Sequence, residues 1–325
     1  PAGAAGFAPR GLLGITRSNI FGLAHTASAL VRVSNIQQRL LLNYLAPQFF
    51  GNENLNLSFS SLLDQSKDIR TFTSRRNESA IQIGQRLSRD ITLQYRVISR
   101  FVFIDEDTLK IDPNLIPVFS QPVKTITLSA SLIQDRRDDP INSHRGVANT
   151  LDFGYAPSFS RSSTNYTRLV ARNSTYHPVR RELVFARATS FGWLYNLSDR
   201  PVPLPENFYA GGASTHRGFP DNQAGPRDLV TGFPIGGRAF LFFQHELRFP
   251  LIGDSIGAVL FHDMGNVYSS LDNVSFRFSQ RDRQDFDYMV QAAGLGFRVK
   301  TPVGPLRVDF AFAGNSPRFV GFEGT

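Results

Sequence analysis

A glycine-rich polar loop carries the residues of this chain that are best suited to ionic chemistry. Within the stretch from Phe208 to Pro250, four consecutive residues place a cation and an aromatic ring beside a glycine, which lets the backbone turn sharply. These residues are His216, Arg217, Gly218 and Phe219. A loop of about forty residues without a period of its own is uncommon in a compact domain and is usually functional. We therefore expect residues 196–236 to form a functional loop.

The segment after this loop alternates between apolar and charged residues. A two-residue period is typical of a strand that lies between an apolar and a polar medium. The apolar positions are Ala239, Leu241, Phe243, Leu247 and Phe249, and the polar positions are Arg238, Gln244, Glu246 and Arg248. This pattern indicates a strand of a membrane barrel.

Composition restricts the fold and the classes of function. The 325 residues include no cysteine, which excludes disulfides, thiolate nucleophiles and cysteine metal sites, and the 26 Gly and 19 Pro favour short turns between strands. No apolar run approaches the roughly 18 residues of a membrane helix, but barrel strands expose only every second residue to lipid. The net charge of +8 is distributed over many segments, so we do not expect a nucleic-acid partner.

Fourteen segments have the length and pattern of membrane strands. They are Pro9–Asn19, His25–Ser34, Ile36–Ala46, Glu53–Asp64, Glu78–Ser88, Arg89–Ile104, Pro122–Gln134, Val147–Pro157, Ser163–Tyr176, Arg180–Gly192, Gly237–Phe249, Ser255–Tyr268, Tyr288–Thr301 and Gly304–Ala313. Tight turns alternate with long polar connections, which is the asymmetry of an outer-membrane barrel. We predict an all-β fold, a transmembrane antiparallel β-barrel, as one domain over residues 1–325. A soluble β-sandwich or propeller is less favoured because its strands are shorter.

Ordered motifs along the chain resemble the Omp85 superfamily of outer-membrane assembly and translocation barrels, which includes BamA-like and TamA-like proteins. The early and middle motifs are Ser18-Asn-Ile-Phe-Gly22, Leu45-Ala-Pro-Gln-Phe-Phe-Gly51 and Gln134-Asp-Arg-Arg-Asp-Asp-Pro140. The later ones are Glu206-Asn-Phe-Tyr-Ala-Gly-Gly212, Arg217-Gly-Phe219, Gly236-Gly237, Glu246-Leu-Arg-Phe-Pro250, Phe261-His-Asp-Met-Gly-Asn266, Gly294-Leu-Gly-Phe-Arg298 and Thr301-Pro-Val-Gly-Pro-Leu-Arg307. Their occurrence in order along the chain makes chance similarity improbable.

The resemblance implies roles for particular residues. Arg217 would be at the tip of the sixth extracellular loop, which folds back into the barrel lumen, and Glu246 and Asp263 match its acidic partners on the inner wall. A buried cation needs such partners. The alternative is a solvated arginine on a mobile loop. Further motif positions are Gly211, Gly212, Gly236, Gly237, Gly265, Arg307 and Asp309.

The two ends depart from the family pattern. The family has sixteen strands, so the fourteen predicted ones would be the second to the fifteenth. The soluble POTRA repeats that precede the barrel in the family are absent from residues 1–325. We expect the first strand to lie upstream of Pro1 in a longer precursor, and residues 318–324 to begin the last strand or form only its leading turn. We therefore expect no complete seam between the first and last strands.

The residues do not point to catalysis. Glu246 and Asp263 could form a two-carboxylate hydrolytic pair, but an arginine partner explains both. The six histidines lack metal-ligand spacing, and neither a nucleophile elbow nor a phosphate loop is present. We predict that the protein is not an enzyme and needs no cofactor or metal.

The resemblance implies an insertase of the bacterial outer membrane. Its partners would be unfolded outer-membrane β-barrel clients and the lipid bilayer, with periplasmic lipoproteins or an inner-membrane partner as further candidates. The alternatives are a polypeptide-secretion channel of the same superfamily and a passive porin. A porin would keep an open polar lumen, whereas an anchored Arg217 predicts a lumen occupied by the long loop.

Overall fold

A computed structural model describes residues 10–35, 37–67, 69, 71–111, 123–158, 164–180, 182–199, 202–253, 255–301 and 304–319. Within these ranges fourteen strands form one antiparallel sheet in chain order. They are β1 (Arg10–Ile20), β2 (His25–Ser34), β3 (Gln37–Pro47), β4 (Leu55–Ser66), β5 (Thr73–Arg86), β6 (Ile91–Asp105), β7 (Val123–Asp135), β8 (Gly146–Ala156), β9 (Tyr166–Pro178), β10 (Val184–Asn196), β11 (Ala239–Ile252), β12 (Ile256–Tyr268), β13 (Val290–Thr301) and β14 (Gly304–Ala313). In the same ranges no helix has the length and apolar character needed to cross a membrane.

The structure confirms the predicted all-β fold and the number of strands among the described residues, with two clear shifts of boundary. The predicted strand Arg180–Gly192 is β10, which begins at Val184 because the N–H of Val179 donates to the carbonyl oxygen of Leu183 (2.8 Å) and closes a hairpin turn. The predicted strand Glu78–Ser88 is β5, which begins at Thr73 because residues 73–77 already pair with β6. The expectations for residues 1–9 and 320–325 lie outside the described residues.

Strand pairing separates the charged side chains from the apolar ones. Two residues that are paired on adjacent strands have their side chains on the same side of the sheet. Ion pairs between adjacent strands therefore identify the charged side of the sheet. Arg100 on β6 pairs with Glu78 on β5 (2.7 Å), and Arg39 on β3 pairs with Asp64 on β4 (2.9 Å). The opposite face exposes large apolar side chains, including Leu63, Ile81, Val97, Phe153 and Leu260. This division is expected when the outer face meets lipid and the inner face lines a polar lumen.

Five of the six residues predicted to face lipid are exposed or half-buried on the apolar face. Leu306, Val308 and Phe310 are more than half exposed, and Leu241 and Phe243 are half-buried. The prediction for Ala239 is wrong because this residue is fully buried. Ala239 is the first residue of β11 and pairs with Trp193 and Tyr268. Both neighbours are large, so the methyl group of Ala239 does not reach the surface between them.

The hydrophobic core is built between the long loop and the inner wall. The larger cluster joins loop residues, among them Phe208 and Phe219, to Phe242 and Val290 of the wall. A second cluster packs Leu204 of the same loop against Phe72 and Ile111. The loop therefore fills the lumen at the end of the barrel from which it emerges, and it does not lie over the surface as an ordinary loop does.

The assignment of the two faces can be tested with a charge in the middle of a strand. Val97 lies on the apolar face near the middle of β6 and is 48% exposed, whereas Leu87 is 53% exposed in the turn before β6. We expect Val97→Arg to lower the free energy of unfolding in lipid vesicles by about 2–4 kcal/mol and Leu87→Arg by about 1 kcal/mol or less. Denaturant titrations in vesicles measure both values, and equal effects would contradict the assignment.

Candidate functional site

The tip of the long loop is a compact turn held by its own hydrogen bonds. The N–H of Gly212 donates to the carbonyl oxygen of Phe219 (2.9 Å), and the N–H of Gly211 donates to Oγ1 of Thr215 (2.7 Å). Gly211 and Gly212 have φ values of 124° and 78°, which other residues rarely adopt. These two glycines thus allow the turn that presents the residues between Gly212 and Phe219 to the wall.

Arg217 is bound by two carboxylates of the barrel wall. Its Nε and Nη2 donate to the two oxygens of Asp263 (2.7 and 2.6 Å), and its Nη1 donates to Oε1 of Glu246 (2.7 Å). The backbone N–H of Arg217 donates to the same Asp263 carboxylate (3.0 Å). Asp263 therefore receives three hydrogen bonds from a single residue, in the bidentate geometry that suits a guanidinium.

Burial makes these contacts energetically important. The side chain of Arg217 is 3% exposed, and that of Asp263 is fully buried. The guanidinium carbon lies 3.6 Å from the centre of the Phe261 ring, so a cation–π contact covers one face of the cation. Removing one member of such a buried pair leaves the other charge unpaired, at a typical cost of about 3–5 kcal/mol.

The acidic partners of Arg217 belong to a larger lumenal charge network. Arg248 also pairs with Glu246 (2.8 Å), and Arg298 lies 4.0 Å from Glu246. Asp309 pairs with both Arg298 (2.6 Å) and Arg307 (2.6 Å). The structure thus places Arg307 and Asp309 on the lumenal face, and the network continues from β11 across β13 to β14.

His216 and Gly218 fit the loop tip closely against the wall. The N–H of Gly218 donates to Nδ1 of His216 (3.1 Å), so Nε2 is the protonated nitrogen and donates to the carbonyl oxygen of Val290 (3.1 Å). Burial lowers the pKa of His216, which keeps this neutral form at neutral pH. A Cβ atom on Gly218 would lie 2.6 Å from Cβ of Ala292, so a larger residue would push the loop off the wall. Phe219 packs edge-on against the His216 ring.

The remaining predicted glycines lie at the base of the loop and in the barrel wall. Gly237 exchanges two backbone hydrogen bonds with Phe208 (2.8 and 3.0 Å), which closes the base of the loop beside Gly236. Gly265 is in β12, two residues beyond Asp263. Within the described ranges, no group of three or more His, Cys, Asp or Glu residues is arranged so that it could hold a metal ion.

A second ionic contact holds the start of the long loop and was not predicted from the sequence. Oε2 of Glu206 accepts hydrogen bonds from Nη1 of Arg100 (2.9 Å) and from the hydroxyl of Tyr166 (2.6 Å). Arg100 is shared with Glu78, and Arg168 stacks over the Phe208 ring at 4.6 Å. This second anchor binds the loop to β5, β6 and β9, whereas Arg217 binds it to β11 and β12.

Glu206 is ionised although it is buried. Burial alone would raise the pKa of this carboxyl, but the Arg100 cation and the Tyr166 hydroxyl outweigh burial and hold its pKa below the ordinary value. The sequence contained a partial signal, because Glu206 opens one of the motifs and strand alternation places Glu78 and Arg100 on one face of their strands. It did not indicate which residues meet, since Arg100 and Glu206 are 106 positions apart.

A single antiparallel sheet with an apolar outer face, together with a loop bound by charges to its inner face, defines an outer-membrane β-barrel. The model of the Omp85 superfamily domain matches residues 19–322. The chain therefore belongs to the Omp85 superfamily and is an integral outer-membrane protein.

Relatives and solved structures agree with this assignment. The outer membrane protein assembly factor BamA of Nitratidesulfovibrio vulgaris is 25% identical over 315 residues, 92% of this chain and 36% of that protein. A SAM50-like protein of Schizosaccharomyces pombe is 32% identical over 133 residues, 38% of this chain and 26% of that protein. The chain thus spans about a third of each relative's length or less.

The fold resembles two solved classes of barrel to different degrees. BamA from Haemophilus ducreyi lacking POTRA domains 1–3 has a TM-score of 0.80 at 17% identity, covering 94% of this chain and 64% of that chain. CdiB from Acinetobacter baumannii has a TM-score of 0.61 at 15% identity, covering 95% of this chain and 54% of that chain.

Arg217→Ala tests the first anchor. We expect this change to leave Asp263 and Glu246 uncompensated, to lower stability by about 3–5 kcal/mol and to free the loop tip. Arg217→Glu should have a larger effect because three acids would then converge. Protease cleavage of the loop in intact vesicles measures the release. The matched control is Arg75→Ala, which removes an exposed arginine on the outer face. Equal cleavage in the Arg217 and Arg75 variants would contradict the anchor.

Glu206→Ala tests the second anchor. The change leaves Arg100 with Glu78 as its remaining carboxylate and removes the ionic acceptor of Tyr166, so we expect cleavage near residue 206 to increase without release of residue 217. Tyr166→Phe should be milder, at about 1–3 kcal/mol, because it removes one hydrogen bond to a charged group. If Glu206→Ala releases both the start of the loop near residue 206 and its tip near residue 217, the two anchors are not independent.

Proposed function

We propose that this chain is the barrel portion of an insertase that assists outer-membrane β-barrel proteins to fold and enter the bilayer. The observation that carries the proposal is the buried contact of Arg217 with Asp263 and Glu246. It fixes the long loop in the lumen of a barrel that resembles an assembly factor over 92% of its length. A barrel filled by its own loop is better suited to work on clients at its wall than through its centre.

Strand pairing provides the mechanism of the proposed activity. A seam between barrel strands exposes backbone N–H and C=O groups, and a client strand can pair with them by β-augmentation. A client so paired keeps its backbone hydrogen bonds satisfied as it enters lipid, where unpaired groups are costly. A barrel that is short at its seam would also thin the adjacent bilayer. None of these steps requires a cofactor.

A polypeptide-secretion channel of the same superfamily is the second candidate, supported by the structural likeness to CdiB. The TM-score of 0.80 to BamA against 0.61 to CdiB favours the insertase. A passive porin is disfavoured because the loop fills the lumen. Repeats upstream of this chain would favour assembly or secretion over passive diffusion. The single-domain organisation and the periplasmic lipoprotein or inner-membrane partners stay predictions.

Client assembly by the full-length protein in vesicles tests the proposal. The probe is an unfolded outer-membrane β-barrel, and its folding is followed by the change in gel mobility between heated and unheated samples. We expect Arg217→Ala to slow client folding by at least about tenfold, because an anchor worth about 3–5 kcal/mol is lost. Arg75→Ala should retain the wild-type rate.

Two results would contradict the proposal. If wild-type protein releases the client into the vesicle interior as a soluble, protease-protected product, it is a secretion channel. If Arg217→Ala frees the loop but assembles clients at the wild-type rate, the anchored loop is not required for insertion.

A further inference from the structure

The lipid-facing surface carries a chain of three hydrogen-bonded amides. Nδ2 of Asn173 on β9 donates to Oδ1 of Asn149 on β8 (2.6 Å), and Nδ2 of Asn149 donates to Oε1 of Gln134 on β7 (2.8 Å). These residues occupy facing positions in the sheet. Gln134 is two residues from Leu132 and Asn149 is two residues from Leu151, and both leucines are more than 40% exposed. Asn173 faces Asn149 on the adjacent strand. The amides therefore lie on the outer face.

Amides are an unfavourable choice for a surface that meets only hydrocarbon. The hydrogen bonds between the three side chains use only some of the donors and acceptors of each amide, because an amide carries two donors and two acceptor sites. Among the described residues, the side-chain NH₂ group of Gln134 and the side-chain oxygen of Asn173 have no hydrogen-bond partner. Unpaired polar groups are energetically unfavourable in lipid. A ligand with hydrogen-bonding atoms would remove this cost.

An arginine lies beside the amide chain on the same outer face. Arg187 on β10 is exposed, and its neighbours on that face include Phe185 and Phe191. Its Nε donates to Oγ1 of Thr175 (3.0 Å), and no carboxylate in the described part of the chain lies within salt-bridge distance. Unlike the anchored Arg217, Arg187 has no acidic partner, so its charge is available to an anion.

The depth of Arg187 matches the headgroup region of the inner leaflet. It lies three residues above Val184, where β10 begins after a short turn. At about 3.3 Å per residue and a tilt of about 40°, this places Arg187 roughly 8 Å above the end of the strand. Its long side chain can extend to the polar interface from that depth. Short turns face the periplasm in outer-membrane barrels, so this is the periplasmic rim.

An apolar groove continues from the polar groups. Its volume is about 440 Å³, and Asn149 and Asn173 line it together with Leu132, Leu151, Ala171 and Phe191. Polar atoms thus lie beside an apolar trough, with a cation near the rim. A phosphate group, ester oxygens and an acyl chain are the parts of a glycerophospholipid that would fit the cation, the amides and the trough.

We propose that the outer wall between β7 and β10 is a binding site for one phospholipid of the periplasmic leaflet. Arg187 binds the phosphate, and the amides of Asn173, Asn149 and Gln134 bind the glycerol ester oxygens. One acyl chain lies in the groove along Leu151 and Phe191. Charge complementarity and the unsatisfied amide groups select this ligand over a second protein.

Native mass spectrometry of the full-length protein released from micelles tests this site. The probes are dipalmitoyl phosphatidylglycerol, dipalmitoylglycerol, which lacks the phosphate, and inorganic phosphate, which lacks the chains. We expect one phosphatidylglycerol to remain bound, the diacylglycerol to bind at least about tenfold more weakly, and inorganic phosphate not to displace the lipid.

Variants separate the site from general lipid adhesion. Arg187→Gln should weaken retention at least about tenfold, Arg187→Lys should restore part of it, and Asn149→Leu should weaken it by interrupting the amide chain. Arg75→Gln is the matched control, since it removes an exposed arginine on the outer face of β5 near the opposite rim. Unchanged gel mobility verifies that each variant is folded. Wild-type retention by Arg187→Gln or Asn149→Leu, equal loss in Arg75→Gln, or equal retention of diacylglycerol would overturn the proposal.

Discussion

The neutralisation of one buried cation organises the lumen of this barrel. Arg217 can be buried only where two carboxylates and an aromatic face converge, and the register of β11 against β12 creates that place. Glu246 lies opposite Phe261 in this register, and Asp263 is two residues further along the same face. A shift by one residue would turn these side chains towards lipid. The loop contact therefore depends on the strand register, and it also stabilises that register.

The same constraint explains how charge is distributed across the wall. Inside, arginines pair with carboxylates of other strands, as Arg39 does with Asp64 on the next strand and Arg96 does with Asp152 two strands away. Outside, large apolar residues dominate because an unpaired charge in hydrocarbon is costly. The exceptions on the outer face are informative for this reason. Arg187 and its adjacent amides break the general pattern near one rim, where lipid headgroups can compensate their polarity.

Two anchors make the long loop part of the barrel's core. Arg217 ties its tip to β11 and β12, while Glu206 ties its start to β5, β6 and β9, and apolar clusters fill the space around both. Strands that are distant in the sheet are thus joined through one loop. The loop thus connects the wall from β5 to β12 by contacts that do not run through the sheet itself.

Local sequence determined the strands, and tertiary structure determined which charges meet. Alternation and turn residues predicted fourteen strands because both are properties of short segments, and the motif around Arg217 indicated its partners through family resemblance. Ala239 keeps its place in the alternation, but its small side chain is buried between the paired residues Trp193 and Tyr268. The contacts of Glu206 and the hydrogen-bonded amides of the outer face could also not be predicted from the sequence. Each requires strands to be brought into register across the sheet, and side chains separated by many positions can meet only after the barrel has formed.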